Sequence, residues 1–214
     1  MSKQLKMRVV MQSKMLMIGM LTITFGFASP VFATDLNIAV QNNVNGAKTV
    51  KVAPGGAVQY RIVGMLSDTH NDGLALWGAN LSMTPSVPLS PATPGPRMGS
   101  FVRPEGITNP AGYGGTSSGN DLLQIGGGQN TIKNTRANAS FPIGKVVENI
   151  AQNEEVLATG SVTMPSTPGT YLLAVSEAFS IVIVDGQVAA DGAFFKTEAA
   201  GIGKIEHLTI TVEK

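Results

Sequence analysis

The nearest match to a cation-binding loop in this sequence is Asp68-Thr-His-Asn-Asp72-Gly73. Carboxylates at the first and fifth places, followed by a glycine, are typical of a calcium loop. The third place, however, holds His70 rather than Asp or Asn, and the twelfth holds Ala79 rather than Glu. A turn rich in Asp, Asn and Gly accounts for the same residues and is favoured. The alternative is a Ca²⁺ site with Asp68 and Asp72 as ligands.

Catalytic residue types are present, but no spacing joins them into a catalytic set. The two histidines are His70 and His207, and His207 precedes a strand pattern whose apolar face predicts that its imidazole points outward into solvent. Glu154 and Glu155 are adjacent, which is typical of a solvated turn rather than of two carboxylates across a cleft. The chain has no cysteine, which excludes thiol catalysis and the zinc sites built from cysteines. These observations predict a protein that is not an enzyme.

Aromatic residues could form a carbohydrate-binding surface, because sugar sites use exposed rings together with a few polar groups. Trp77, Tyr60 and Tyr171 alternate with polar or small residues at apolar positions, so we expect them in the core. Phe101 and Tyr113 lie in a stretch rich in proline and glycine and are the predicted ligand contacts.

The elements that must position these residues are short β-strands, and the clearest begins after the turn at Pro168-Gly169. Tyr171, Leu173 and Val175 alternate along one side, four β-branched residues follow at 181–184, and Asp185-Gly186 signals another turn. We interpret this stretch as the centre of a β-sandwich.

Seven further segments predict strands, and Gly126-Gly-Gly128 is expected to end one of them. Residues 143–150 fit either a helix or a strand, with strand favoured. About nine short strands and no convincing long helix predict an all-β fold of two antiparallel sheets, either a jelly roll or an immunoglobulin-like sandwich. The seven segments are Leu36–Val40, Val50–Val52, Val58–Ile62, Leu74–Met83, Asp121–Ile125, Val156–Met164 and Leu208–Val212.

Residues 85–120 hold seven of the 12 prolines and also seven glycines. Proline fixes φ and removes a hydrogen-bond donor, so this stretch is predicted to be a long surface loop. Either a ligand-binding role or a plain crossover connection is compatible with it.

The first 33 residues have the pattern of a signal peptide: a basic start, an apolar run at 15–28 and a small-residue cleavage site. Cleavage would leave a single β-sandwich domain at 34–214, secreted or periplasmic, with no membrane span. The mature chain would carry 11 basic and 14 acidic side chains, a net charge of −3. A mildly acidic surface argues against a nucleic acid or an anionic membrane as partner.

The order of strand and turn signals resembles that of the cohesin and carbohydrate-binding-module type of β-sandwich. The matching pieces include Val50–Ile62, Gly73–Ser82, Leu157–Thr163 and Pro168–Leu173. The chain also resembles a group of uncharacterised exported bacterial proteins, in which Asn109–Gly115 and Asp121–Thr131 would be hallmarks. The resemblance covers most of residues 35–213.

From the resemblance we expect a non-enzymatic module that binds or assembles outside the cytoplasm, with a protein or polysaccharide partner. One alternative is a carbohydrate-binding module that uses the 85–120 loop. Another is a structural protein of an extracellular matrix or surface. The sequence does not identify the ligand.

Overall fold

The longest strand is the one that the sequence placed at the centre of the sandwich, Gly169–Val184. Tyr171, Leu173 and Val175 are buried, as their alternation predicted, because every second residue of a strand points to the same side. In the computed structural model, described residues are 34–67, 71–96, 98–99, 101–102, 106–109, 111–129, 154–184 and 197–214.

The described residues form fourteen strands and no helix, and nine of the strands are five residues or longer. The predicted all-β class is therefore confirmed. In chain order the strands are β1 Asp35–Asn42, β2 Thr49–Val52, β3 Ala57–Leu66, β4 Asn71–Thr84, β5 Thr93–Pro94, β6 Met98–Gly99, β7 Phe101–Val102, β8 Thr108–Asn109, β9 Tyr113–Ser118, β10 Asp121–Gln129, β11 Glu155–Thr163, β12 Gly169–Val184, β13 Thr197–Glu206 and β14 Leu208–Val212.

Two sheets face each other and share one strand. The first runs β5-β11-β3-β1-β13, and the second runs β13-β12-β4-β10-β6, with β9 paired to β10. Strand β13 pairs in parallel with β1 and antiparallel with β12, so it carries the hydrogen bonding from one sheet to the other. Strand β14 joins the second sheet beside β12 and pairs in parallel with β2.

The core lies between the sheets and is built from the inward side chains of both. Trp77 is fully buried, as predicted, and its indole N–H donates to the sulfur of Met98 at 3.0 Å. Tyr60 and Tyr171 are also buried, in agreement with the sequence. The chain has no cysteine and therefore no disulfide. The removal of these apolar side chains from water stabilises the fold instead.

Bulges shift the alternation of buried and outward residues in two strands. In β4 the register shifts at Ala75, so that Leu74 is buried and Ala75 is not. In β11 a shift between Val156 and Ala158 buries Leu157 rather than Val156. An extra residue on one strand reverses the side to which the following residues point.

The glycine triplet does not end its strand, contrary to expectation. Strand β10 continues through Gly126–Gly128, pairing with both β4 and β6. A Cβ at Gly127 would lie 2.9 Å from Cβ of Met98. Glycine therefore lets Met98 approach the backbone closely on the core side, and the strand needs it there.

The stretch 85–120 contains more strand than the predicted loop allowed. Five short strands, β5 to β9, occur within it, and β9 forms a hairpin with β10. Residues 143–150 and Asp185-Gly186 lie outside the described residues, as do residues 1–33 with the predicted signal peptide. All described residues fall within one compact unit, Phe32–Lys214.

Candidate functional site

A groove lies on the outer face of the first sheet, across β3, β1 and β13. Its floor is apolar: Ala39 is 7% exposed and Val63 2%, although both point away from the core. Met65, one step along β3 on the same face, is 36% exposed and forms part of the wall. The groove has a volume of about 180 Å³. This is below the roughly 300–1,000 Å³ of sites that enclose a whole small molecule.

Charged side chains of both signs surround this floor. Glu154, Lys204 and Glu206 line the groove together with Asn37. Asn37 is fixed in place, because its side-chain oxygen accepts a hydrogen bond from the backbone N–H of Lys204 at 2.7 Å. An apolar centre within a polar rim is the usual anatomy of a protein-binding surface.

One wall of the groove is held by Gln41, a side chain that is 3% exposed. Its oxygen accepts from Nε and Nη2 of Arg61 at 3.0 and 2.9 Å, and its Nε2 donates to Glu154 at 2.9 Å. A buried amide is satisfied only when both its ends find partners. Here the partners come from β3 and from the residue before β11, so Gln41 links three segments of the sheet.

The opposite wall carries an ion-pair network centred on Glu206. This carboxylate pairs with Lys204 at 2.6 Å and with Lys48. Hydrogen bonds from Lys204 and Lys48 lower the pKa of Glu206 from its ordinary value of 4.5. The carboxylate is therefore charged at neutral pH and held between two cations.

The predicted calcium ligands are not assembled into a site by the described residues. Asp68 lies outside them, while Asp72 is in β4, where it is the extra residue of a bulge between Gly73 and Asn71. Because β4 begins at Asn71, the turn predicted over Asp68–Gly73 ends before Gly73. In the described ranges, no group of three His, Asp or Glu side chains is placed to hold a metal. Calcium binding at Asp68 and Asp72 stays a prediction.

The predicted ligand contacts Phe101 and Tyr113 belong to different pairs of strands. Phe101 is opposite Asn109 in the small β7–β8 sheet. Tyr113 is in β9 rather than in a loop, opposite Gly126, and its hydroxyl is 2.7 Å from Oγ1 of Thr116. Their role as ligand contacts stays a prediction.

The histidines do not form a site in the described structure. His70 lies outside the described residues. His207 lies between β13 and β14, half-buried, and its Nδ1 is buried with no hydrogen-bond partner among the described residues. His207 is thus half-buried rather than fully solvated as predicted, because its Nδ1 atom is covered.

A motif that the sequence analysis did not use is Gly115-Thr-Ser-Ser-Gly119, which matches the Gly-x-Ser-x-Gly of nucleophile elbows. In those enzymes the serine sits on a turn from a strand into a helix. Ser117 is instead a strand residue opposite Leu122, just before the turn of the β9–β10 hairpin. This geometry does not make an elbow.

Tyr60 is an ionisable residue that is buried in the core. Its hydroxyl has no hydrogen-bond partner in the described structure, and a Cβ at Gly160 would lie 2.3 Å from it. Burial raises the pKa of Tyr60 to about 12. The phenol therefore stays protonated at physiological pH and does not act as a base.

Among the described residues there is no helix of the length and hydropathy needed to cross a membrane.

Comparison with known proteins finds similarity at the level of the fold. No protein-family model matches the sequence, and no curated protein matches it. A type I cohesin from Pseudobacteroides cellulosolvens aligns over 84% of this chain and 92% of its own, with 14% identity and a TM-score of 0.49.

Other cohesins give similar values. A non-cellulosomal cohesin from the archaeon Archaeoglobus fulgidus aligns over 84% of this chain and 92% of its own, with 10% identity and a TM-score of 0.47. A cohesin from Clostridium thermocellum, solved in complex with a dockerin, covers 84% and 94%, with 11% identity and a TM-score of 0.44. The chain is thus similar in fold to cohesin domains, the resemblance that the sequence suggested.

Proposed function

We propose that this chain is an exported, non-enzymatic module that binds a protein partner through the groove on its first sheet. The observation that carries the proposal is an apolar floor, Ala39 and Val63, enclosed by fixed charges. Hydrophobic burial at the floor supplies affinity, and the charges around it select and orient the partner.

The size of the groove favours a protein over a small molecule. About 180 Å³ accommodates a side chain or two of a docked partner but not a typical whole ligand. Met65, at 36% exposure, provides apolar surface next to the floor that a partner would cover. A partner that buried this side chain would gain free energy from the area removed from water.

Hydrogen bonds and ion pairs link the side chains of the groove walls to one another without a partner. Gln41 holds Arg61 and Glu154, and Glu206 holds Lys204, through the hydrogen bonds and ion pairs described above. Side chains that are fixed before binding lose less conformational entropy when a partner arrives. This supports recognition by a preformed surface.

Binding to isolated dockerin domains, the partners present in several of the similar structures, is the first test. With a panel of immobilised dockerins, we expect Met65→Asp to weaken any binding at least about tenfold, as the loss of a central contact does. Val44→Asp is the matched control, because Val44 is 85% exposed and does not line the groove.

Two outcomes would contradict the proposal. One is dockerin binding that Met65→Asp leaves unchanged, which would place the contact elsewhere. The other is turnover in a broad screen of hydrolase substrates that is lost in His207→Ala or Ser117→Ala, which would make the chain an enzyme. Export is tested separately, by N-terminal sequencing of the mature protein for a start at Thr34.

A further inference from the structure

The outer face of the second sheet carries an exposed phenylalanine, Phe179, in β12. It lies directly opposite Gly78 of β4 and is 45% exposed. A Cβ built on Gly78 would be 2.3 Å from Cε1 of the ring and 2.7 Å from Cζ. The ring therefore lies against the bare backbone of β4, a position that only a glycine opposite it permits. Its exposed part is presented to solvent on the surface of the sheet.

A fixed pair of polar side chains lies beside this ring. Glu177 is two residues before Phe179, on the same face of β12, and is directly opposite Asn80. Nδ2 of Asn80 donates to Glu177 at 2.8 Å, and the backbone N–H of Gln124 donates to Oδ1 of Asn80 at 2.7 Å. The carboxylate and the amide are thus held to each other on the same face as the ring.

A second aromatic side chain stands at the far side of the same face. Gly78 is opposite Gly126 of β10, and Gly126 is opposite Tyr113 of β9. Residues directly opposite each other in a sheet point to the same face. Phe179 and Tyr113 are therefore three strand spacings apart, about 14 Å, with two glycines between them. We name this surface, comprising Phe179, Gly78, Glu177, Asn80 and Tyr113, the aromatic face.

We propose that the aromatic face binds a neutral, unbranched polysaccharide of pyranose sugars. The C–H surface of a sugar ring stacks on the exposed part of Phe179, while its hydroxyl groups exchange hydrogen bonds with Glu177 and Asn80. The carboxylate of Glu177 disfavours an anionic chain. The span from Phe179 to Tyr113 suits a chain of several sugars. This site is on the sheet that does not carry the protein-binding groove, so it is a separate activity.

Affinity gel electrophoresis with soluble β-glucan and xylan, and sedimentation with insoluble cellulose and chitin, test the proposal. We expect the wild-type chain to be retained by at least one of the four. Phe179→Leu still covers Gly78 but has no aromatic surface, so it should bind at least about tenfold more weakly. Phe179→Trp should retain binding. Leu172→Ala is the matched control, because Leu172 is 37% exposed on the same face of β12 but seven residues away.

The proposal is overturned if none of the four polysaccharides retains the wild-type chain, or if Phe179→Leu binds like wild type. Thermal unfolding of each variant shows that a loss of binding is not a loss of fold. Met65→Asp should bind polysaccharide normally, and Phe179→Leu should bind dockerin domains normally. Each proposal can thus fail without the other.

Discussion

The two outer faces of this sandwich are organised in opposite ways. On the first sheet, long side chains are tied to one another: Gln41 links Arg61 to Glu154 around an apolar floor. On the second, the absence of a side chain at Gly78 lets Phe179 lie on the backbone. Most inward residues of both sheets are apolar, although Ser180 of β12 is also buried. The two faces therefore differ only in their outward-pointing side chains. Either face can be changed by substitution without altering the core.

The largest expected effect is on the first sheet, in Gln41→Leu. The substitution removes the acceptor of two Arg61 hydrogen bonds and the donor to Glu154, and we expect it to lower the free energy of unfolding by about 2 kcal/mol. Urea denaturation measures this. Asn80→Leu, which removes the bridging amide of the second sheet at a less buried position, should cost about half as much. Equal losses would show that the two networks do not differ in strength.

An intermediate effect is expected on the second sheet, in Gly78→Ala. The new methyl group would displace the ring of Phe179, which can rotate away, so we expect a loss of about 1 kcal/mol. In a Phe179→Ala background the same change should be neutral or slightly stabilising, because alanine is preferred over glycine in a strand. A double-mutant cycle in urea measures the coupling, and a coupling near zero would mean that the ring does not depend on Gly78.

The smallest expected effect is in Glu206→Gln. Because the pKa of Glu206 is lowered in the folded chain, its stabilisation is complete above its ordinary pKa of 4.5 and is lost as the pH falls through the lowered value. Its lysine partners are exposed, so we expect only a few tenths of a kcal/mol at pH 7. Thermal melting of both proteins between pH 7 and pH 3 should converge at low pH. A difference that persists there would contradict an ionic origin.

The sequence predicted best those strands that alternate without interruption. Strand β14 and the first half of β12 are as expected, since Leu208, Ile210 and Tyr171 each face the core. Strand β13 was not predicted as a strand, because its small and polar residues, Thr197–Glu206, show no two-residue period. It is formed by pairing of its first half with β12 and of its second half with β1. Pairing of this kind is decided by tertiary structure, not by local composition.

The candidate sites were harder to predict than the strands. The aromatic prediction named Tyr113 but placed it in a loop, since nothing in the local sequence shows that Gly126, Gly78 and Phe179 align with it. The groove was not predicted at all, because Gln41, Arg61 and Glu154 come from segments far apart in the chain. Strand register decides which outward residues become neighbours. The register between strands far apart in the chain cannot be inferred from the local pattern of one sequence.

The borders of the first sheet bear on self-association. At one border β13 changes partner along its length, because Thr197–Ala200 pair with β12 and Gly201–Glu206 pair with β1. Along the opposite border of the first sheet, β11 is partly covered by β5, whose Pro94 has no N–H to donate. Polymerisation by the addition of strands is thereby discouraged at the β11 border of that sheet. Covering that border favours a chain that stays free of edge-to-edge association at high concentration.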